Sequence, residues 1–233
     1  MKPPQEKPTR FDAYAEDYAA LIRDPIRDKF AAGSRFFFER KIQVIREFLT
    51  GIRRNPAELS WLDIGCGQGD LLRLGQSHFK SATGCDPSKG MLKSCRDLDV
   101  HTQSAMDVLP FETQKFDFVT AVCVYHHVPV DRRPLLTAEA FRVLRPGGIF
   151  CIIEHNPLNP VTRLIVARTP VDADARLLTP AEAKRLLLGP GKQSLGVRYF
   201  LLLPERLKFL LPIEARLSRL PFGGQYAAFA QRL

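Results

Sequence analysis

The glycine-rich run LDIGCGQGD, residues 62–70, constrains the fold of this 233-residue chain more than any other segment. The apolar stretch 59–64 predicts a buried strand that runs directly into Gly65, Gly67 and Gly69, and a helical pattern follows. Glycines let the backbone turn sharply and come close to a ligand. A loop that opens a helix also presents unpaired N–H groups and a positive dipole end. The sequence therefore predicts a nucleotide or nucleoside site at the carboxyl end of this strand.

Strands and helices alternate through the middle of the chain, which favours a parallel sheet covered by helices on both faces. The predicted strands are 59–64, 81–85, 100–103, 116–124 and 149–154, and the predicted helices are 69–78, 88–95 and 134–144. The last third is expected to add elements to the same sheet. These are helices at 180–188 and 205–220 and strands at 197–203 and 226–231.

Before the glycine-rich run, residues 11–49 show helical periodicity with a break at Pro25. We expect residues 1–9 to be a disordered tail and residues 10–233 to form one domain. Within that domain we expect a helical cap at 10–58, a cofactor-binding core at 59–155, and an acceptor-side insert with the final strands at 156–233. The length suffices for a core that needs no metal or disulfide.

The chain shows no apolar run of the length that spans a bilayer. The basic start MKPPQEKPTR has no apolar stretch behind it, so we do not expect a secretory signal. The five cysteines show no paired spacing, which suits a reduced interior. These features together favour a cytoplasmic protein.

The formal charge is +9, and it is concentrated near the end of the chain. Residues 157–233 carry 12 basic and 5 acidic side chains, while residues 61–156 carry 10 and 11. This excess favours an acidic partner or substrate near the tail. An ordinary solvated surface that is rich in arginine is the other interpretation, and we prefer it.

Acidic residues distinguish the glycine loop from a dinucleotide-binding fingerprint. In Gly-x-Gly-x-x-Gly the third glycine would fall at position 70, where this chain has Asp70. Asp70 and Asp63 both disfavour a diphosphate and argue against a nicotinamide dehydrogenase. They suit a cofactor that carries positive charge, such as a sulfonium with an α-ammonium group.

Two further carboxylates follow the next predicted strands. Asp86 lies about 20 residues beyond the loop, where ribose hydroxyls are usually held. Asp107 follows the third strand and can accept from an adenine amino group, with Met106 beside the ring. Each aspartate alone would be explained as a helix cap or turn residue. Their recurrence after successive strands favours a nucleoside site.

Five segments make the chain resemble the class I S-adenosylmethionine-dependent methyltransferases, of the small-molecule type. They are LDIGCGQG at 62–69, GCDPSKGML at 84–92, DVLPF at 107–111, FDFVTAVCVYHHV at 116–128 and LRPGGIF at 144–150. The resemblance implies a Rossmann-like, doubly wound α/β fold. Its seven-stranded sheet would have the order 3-2-1-4-5-7-6, with the last strand antiparallel and helices at the N-terminus.

The resemblance also implies a role for each matching residue toward S-adenosylmethionine, whose product is S-adenosylhomocysteine. The methionine part would lie against Gly65, Cys66 and Gly67, with Asp63 near the ammonium and Cys123 below the sulfonium. Ribose would be held by Asp86, the pocket would be lined by Pro87, Ser88 and Met91, and adenine would contact Met106 and Asp107. Tyr14 and Tyr18 match an N-terminal segment that closes over the cofactor in relatives, with ordinary helix packing as the alternative.

Candidate bases for methyl transfer follow the fourth and fifth strands, which should be neighbours. They are His126 and His127 after one strand, and Glu154 and His155 after the other. A neutral imidazole suits deprotonation of a hydroxyl. We expect His127 or His155 to be the base and Glu154 to orient it or bind substrate; packing or capping is the alternative for each. No ligand spacing supports a metal, and none is expected.

The acceptor pocket is expected to involve the N-terminal helices and the insert after the fifth strand. Polar candidates there are Asn156, Asn159, Thr162, Arg163 and Arg168, with a polar surface loop as the alternative. In 204–220, leucines and Ile213 recur on one side with arginines beside them. We expect this stripe to pack on the sheet; peripheral contact with an anionic membrane is the alternative.

The resemblance thus predicts an enzyme that transfers a methyl group from S-adenosylmethionine to a small molecule, with anionic and lipid-linked acceptors among the candidates. A nucleic-acid or protein methyltransferase is the alternative that the basic charge motivates. By resemblance, the lack of Asn-Pro-Pro-Tyr after the fourth strand argues against the adenine- and glutamine-methylating branches. We also expect no added RNA-binding domain, so a nucleic-acid partner is disfavoured. The third hypothesis is a protein that binds the cofactor but has no catalytic activity. The acceptor atom and the oligomeric state stay open.

Overall fold

A computed structural model describes residues 9–233, and within this range the strands form one seven-stranded sheet. Its order is β3-β2-β1-β4-β5-β7-β6, as predicted. The strands are β1 (Ser60–Ile64), β2 (Ser81–Asp86), β3 (Val100–Thr102), β4 (Phe116–Val122), β5 (Leu144–His155), β6 (Lys192–Phe200) and β7 (Gln225–Arg232). Strands β1 to β5 pair in parallel, and β7 runs antiparallel to both β5 and β6. The α/β fold class and the antiparallel last strand are therefore confirmed.

Helices cover both faces of this sheet and also precede it. They are α1 (Arg10–Tyr14), α2 (Tyr18–Leu21), α3 (Pro25–Phe30), α4 (Ser34–Gly51), α5 (Asp70–Gly75), α6 (Lys89–Leu92), α7 (Arg133–Val143), α8 (Pro160–Arg168), α9 (Pro180–Leu186) and α10 (Leu211–Arg216). Short 3₁₀ turns lie at Pro56–Glu58, Gln76–His78, Tyr125–His127, Pro170–Asp172 and Glu205–Leu210. The predicted tail 1–9 lies outside the described residues except for Thr9, whose N–H donates to Asp12 Oδ2 at 2.6 Å at the start of α1.

Two apolar layers arise because successive side chains of a strand point to opposite faces of the sheet. On one face, α4 packs against β1, β4 and β7, and the Phe48 ring stacks on Phe229 at 3.5 Å between centroids. On the other face, α7 and α9 cover residues such as Val119 and Phe150. Because both faces are buried, the ligand site must lie at an edge of the sheet, where the parallel strands end.

Pro25 begins a helix, although the sequence suggested only a break. It occupies the first position of α3, and Asp24 Oδ1 accepts hydrogen bonds from the N–H groups of Ile26 and Arg27. Proline is well tolerated there, because its missing N–H would have no partner inside the helix. Pro160 begins α8 in the same way, with Asn159 as the cap. The insert therefore contains a nine-residue helix that the sequence analysis did not identify.

The predicted helix 205–220 is wrong in its length and in its packing. A 3₁₀ turn covers Glu205–Leu210, and α10 ends at Arg216 after six residues. Side chains of the predicted apolar stripe, including Ile213 and Leu220, are exposed. Glu214 is buried instead and forms an ion pair with the buried Arg40 of α4. This ion pair orients α10 and turns the apolar side outward.

None of the helices within residues 9–233 combines the length and the apolar character that crossing a membrane requires.

Candidate active site

The glycine loop between β1 and α5 is held open by hydrogen bonds to β2. The N–H groups of Gly65 and Cys66 donate to the carbonyl oxygen of Cys85, at 2.7 and 3.0 Å. The Gly67 N–H donates to Asp86 Oδ2 at 2.9 Å. Gly65 has a φ of +67°, and a Cβ there would lie 2.5 Å from Val124 Cγ2. Glycine at this position is therefore required by backbone conformation and by space.

Asp63 and Asp86 are buried carboxylates at the ends of β1 and β2. Asp63 Oδ1 accepts from Thr120 Oγ1 at 2.6 Å, and Asp86 Oδ1 accepts from the Ser88 N–H at 2.7 Å. Burial raises the pKa of Asp63 to about 7 and that of Asp86 to about 6. A ligand that brings positive charge or hydroxyl donors would therefore stabilise the ionised form of both carboxylates.

A cavity of about 470 Å³ opens at this edge and contains most of the predicted cofactor residues. Bordering it are Asp63, Gly65, Cys66, Gly67, Asp86, Pro87, Met91, Met106, Cys123 and Tyr18. The strand ends thus meet as the parallel topology predicts. Carboxylates, glycine backbone and methionines in one cavity fit a nucleoside with a cationic amino-acid part.

Three predicted cofactor residues do not border the cavity. Ser88 caps α6, accepting from the Met91 N–H, and its hydroxyl donates to Asp12. Asp107 forms an ion pair with Arg132 at 3.1 Å. Tyr14 packs edge-on against Phe11, whose ring borders the cavity. Their cofactor roles stay predictions, and each has a structural partner.

The N-terminal helices lie across the cavity and are attached on both sides of it. Asp12 Oδ1 accepts from the Gly90 N–H at 2.7 Å, and Gln68 Nε2 donates to the Ala15 carbonyl at 2.7 Å. On the far side, Arg10 donates to the Val171 carbonyl at 3.0 Å. This segment therefore bridges the cofactor loop and the insert after β5.

Behind the cavity, Glu154 fixes the orientation of His126. His126 Nδ1 donates to Glu154 Oε2 at 2.5 Å, and the other carboxylate oxygen accepts from the Tyr125 N–H at 2.7 Å. His126 Nε2 lies 3.4 Å from Asp172 Oδ1. Burial alone would lower the pKa of His126, but Glu154 and Asp172 outweigh it and raise the pKa to about 10. His126 is therefore an imidazolium ion between two carboxylates.

His127 and His155 are neutral imidazoles beside that cation. Burial and the nearby positive charge of His126 lower the pKa of His127 to about 3 and that of His155 to about 4. His127 Nε2 lies 3.4 Å from Asp172 Oδ1, and its Nδ1 is buried without a hydrogen-bond partner. His155 is half-buried and borders the cavity. Of the four predicted catalytic residues, only Glu154 does not border it.

Several residues of the site were not identified from the sequence. They are Phe11, Lys41, Asp172 and Gln225, and they come from four distant parts of the chain. Burial opposes ionisation of Asp172, but the neighbouring histidines lower its pKa, so it is a carboxylate. Phe11 packs edge-on against His127 with centroids 4.9 Å apart. Phe11 stands in the same FDAY segment that suggested Tyr14, and of these two residues only Phe11 borders the cavity.

The five polar insert residues have different positions. Asn159 and Thr162 border the cavity. Asn156 does not: it is buried and donates to the carbonyls of Pro221 and Gly223. Arg163 and Arg168 are exposed and also lie outside the cavity lining. The predicted acceptor role is therefore wrong for Asn156, whose amide holds the loop before β7.

The far end of the cavity is apolar. Its lining includes Ile26, Phe30, Phe37, Val166, Leu202 and Phe222. Lys41, which also borders the cavity, is buried with its ammonium 4.7 Å above the Phe38 ring, and its charge acts on Asp63 and His155. One cavity therefore joins a polar, carboxylate-lined end to the histidine cluster and then to an apolar chamber.

Comparison with known proteins agrees with this geometry. A methyltransferase-domain family matches residues 62–152. A tRNA (carboxymethyluridine(34)-5-O)-methyltransferase of Arabidopsis thaliana is 31% identical over 158 residues, and the match covers 67% of this chain and 37% of that protein. A demethylmenaquinone methyltransferase of Symbiobacterium thermophilum is 31% identical over 168 residues, covering 66% and 60%. The chain thus spans between about a third and three fifths of these relatives.

Among solved structures, a Thermotoga maritima protein described as a SAM-dependent methyltransferase, possible histamine N-methyltransferase, superposes with a TM-score of 0.70. It is 18% identical, and the match covers 96% of this chain and 98% of that one. The family match over the glycine loop and strands β1 to β5, together with this fold, agrees with the resemblance to the class I S-adenosylmethionine-dependent methyltransferases.

Proposed function

We propose that the chain binds S-adenosylmethionine and catalyses transfer of its methyl group to a small molecule held beside the histidine cluster. The observation that carries the proposal is the continuity of the cavity. Asp63, Asp86, His155 and Asp172 all border the same cavity. The adjoining chamber provides space for an acceptor.

Residues of the chain can hold each part of the cofactor. Asp63 would ion-pair with the ammonium, Asp86 would accept from ribose hydroxyls, and Met91 and Met106 would pack near the adenine. When bound, S-adenosylmethionine supplies an electrophilic methyl group on a sulfonium. The glycine loop would let this group come close to the backbone, because no side chain intervenes. The two carboxylates would ionise fully on binding, because the ligand's charge offsets their burial.

The main catalytic contribution of the chain is alignment of the acceptor. Holding two reactants in line contributes on the order of 7–11 kcal/mol. We assign the base to His155, because it is neutral and borders the cavity. His127 shares both features, but its Nε2 lies 3.4 Å from Asp172 Oδ1 and its ring packs against Phe11. A proton taken by His155 would be stabilised by the Asp172 carboxylate. Glu154 would act as a positioning residue, because it contacts His126 and the backbone but does not border the cavity.

The first test is calorimetry with S-adenosylmethionine, S-adenosylhomocysteine and NADH. We expect heat with the first two and none with NADH, and no heat with either adenosyl compound would refute the proposal. The second is incubation with methyl-labelled cofactor and cell-extract fractions, followed by mass spectrometry of the labelled product. Tight cofactor binding without labelling of any fraction would favour a binding protein without activity.

A tRNA acceptor is the second candidate, because the Arabidopsis relative acts on tRNA and matches two thirds of this chain. The +9 charge agrees with it. Binding to tRNA should then weaken steeply as salt rises, because phosphate contacts release counterions. Absence of tRNA binding at physiological salt would remove this candidate.

A further inference from the structure

We propose that α8 and residues 205–222 form a docking surface for an anionic phospholipid bilayer, from which an acceptor with an apolar tail enters the cavity. We call these two segments the apolar–basic surface. The proposal rests on the proposed function and specifies its acceptor class.

The apolar–basic surface carries half of the exposed large apolar side chains in residues 9–233. They include Val161, Leu164, Phe209, Ile213, Leu220 and Phe222. Phe209 is 71% exposed and Phe222 is 61% exposed, which is unusual for phenylalanine. A concentration of this kind marks a contact surface, whereas exposed apolar residues scattered singly would need no explanation.

Hydrogen bonds hold the two segments against each other. Asn159 Nδ2 donates to the Phe222 carbonyl at 2.9 Å, and Thr162 Oγ1 donates to the Gly224 carbonyl at 3.0 Å. The start of the second segment is attached to the N-terminal helices, since Glu205 accepts from the Ala32 N–H at 2.9 Å. The exposed side chains therefore belong to one folded region.

The same region forms the wall of the apolar chamber. Val161 and Phe222 border the cavity and are also exposed on the outside. Phe30 and Phe37, near the Ala32 contact, line the cavity from the N-terminal side. An apolar chain lying against the outer surface thus meets, at Val161 and Phe222, the wall of the cavity that His155 also borders.

Basic side chains interleave with the apolar ones and determine the kind of partner. Arg163, Arg168, Arg206, Lys208, Arg216 and Arg219 are exposed. Among the described residues, none of these six forms an ion pair. The two acidic groups of residues 205–222 are already occupied, Glu205 by the Ala32 N–H and Glu214 by Arg40. Phenylalanine and leucine beside unpaired lysine and arginine suit the headgroup region of an anionic bilayer.

The test is sedimentation with vesicles of phosphatidylglycerol and phosphatidylcholine in equal parts, compared with pure phosphatidylcholine. We expect binding to the anionic vesicles that weakens between about 0.05 and about 0.5 M salt. The double variant Phe209→Ser/Phe222→Ser should lower the partition coefficient about tenfold or more, because the apolar contact is lost. The variant Arg206→Gln/Lys208→Gln should bind anionic vesicles more weakly and respond less to salt.

The matched control is Ile52→Ser/Leu233→Ser, which alters exposed apolar residues at the opposite edge of the sheet. It should bind vesicles like the unmodified protein. Absent or equal binding to the two vesicle types would overturn the proposal. Unchanged vesicle binding of the Phe209→Ser/Phe222→Ser variant would also overturn the proposal. If the unmodified protein is a dimer and this variant is a monomer, the surface serves self-association instead, and the proposal is again overturned.

The acceptor class is tested separately, by partitioning the methyl-labelled product between chloroform and water. Label in the chloroform phase supports an apolar-tailed acceptor, and label only in the water phase overturns it. Failure of the proposed function is distinguishable, because calorimetry would then give no heat with S-adenosylhomocysteine while vesicle binding is unaffected.

Discussion

The substitution Asp63→Asn tests separately how much the buried carboxylate lowers the stability of the fold and how much it contributes to cofactor binding. Asn occupies the same volume, and its Oδ1 can still accept from Thr120 Oγ1. In the unmodified protein, Thr120 Oγ1 lies 2.6 Å from Asp63 Oδ1. Only the negative charge is removed. We expect the variant to be more stable than the unmodified protein without cofactor and to bind cofactor less tightly.

The stability change follows from proton linkage. The pKa of Asp63 rises from 3.8 to about 7 on burial, and each pKa unit corresponds to about 1.4 kcal/mol. A raised acid pKa stabilises the folded state below the unfolded pKa, and this stability is lost as pH rises through the folded pKa. The free energy of unfolding of the unmodified protein should therefore lose roughly 4 kcal/mol between about pH 4 and about pH 7. Asn does not titrate, and its extra amide donor costs about 1 kcal/mol.

The measurement is urea unfolding of both proteins without cofactor at about pH 4.5 and about pH 8. At about pH 8 the variant should be more stable by about 3 kcal/mol, and near pH 4.5 the difference should nearly vanish. Calorimetry with S-adenosylhomocysteine at about pH 8 should show about 10- to 150-fold weaker binding, because a charge-assisted hydrogen bond is lost.

Asp131→Asn makes the same chemical change at an exposed carboxylate and should leave stability and affinity unchanged. Equal stability of Asp63→Asn and the unmodified protein at about pH 8 would refute the burial argument. Equal affinity for S-adenosylhomocysteine would refute the assignment of Asp63 to the ammonium.

Three further predictions concern the base, the loop and the helix contact. His155→Asn should lower the rate of methyl transfer by about 10²-fold or more and leave S-adenosylhomocysteine affinity within a factor of about two; an unchanged rate would contradict its role as base. Gly65→Ala should weaken S-adenosylhomocysteine binding in calorimetry, because a Cβ would lie 2.5 Å from Val124 Cγ2 at a φ of +67°; the double variant with Val124→Ala should recover only the part due to the clash. Arg40→Met should cost about 3–5 kcal/mol in urea unfolding by leaving Glu214 buried without its ion pair, and adding Glu214→Gln should restore part of it; a cost below about 1 kcal/mol would show that the ion pair does not hold α10.

The grouping of the residues expected to bind cofactor could be predicted because they lie within short strand–loop units. Asp63 and Gly65 are two positions apart, and a strand followed by a glycine loop places both at the strand's end. Parallel pairing then brings Asp86 beside them, since all parallel strands end at one edge. Asp107 shows the limit of this reasoning: it follows the third strand as predicted, but it pairs with Arg132 outside the cavity lining.

The acceptor end could not be predicted in the same way. Four of its residues come together only after the whole sheet has formed and the N-terminal helices have folded across it: Phe11, Lys41, Asp172 and Gln225. No local pattern connects four residues from four separate elements. The protonation of the histidines also depends on this assembly, since His126 is charged only because Glu154 and Asp172 face it from two other segments.

Local chemistry along the chain was sufficient for the alternating strands and helices and for the glycine loop, because apolar periodicity and glycine conformation act over a few residues. The sheet order followed from the resemblance to a known family. Long-range contacts decided which face of the last segment is exposed. Periodicity in 205–220 predicted an apolar side packed on the sheet, yet the ion pair between Arg40 and Glu214 draws the opposite side inward. A buried charge is far more costly to leave unpaired than a few apolar side chains are to expose, so the folded protein satisfies Glu214 and leaves Ile213 in water.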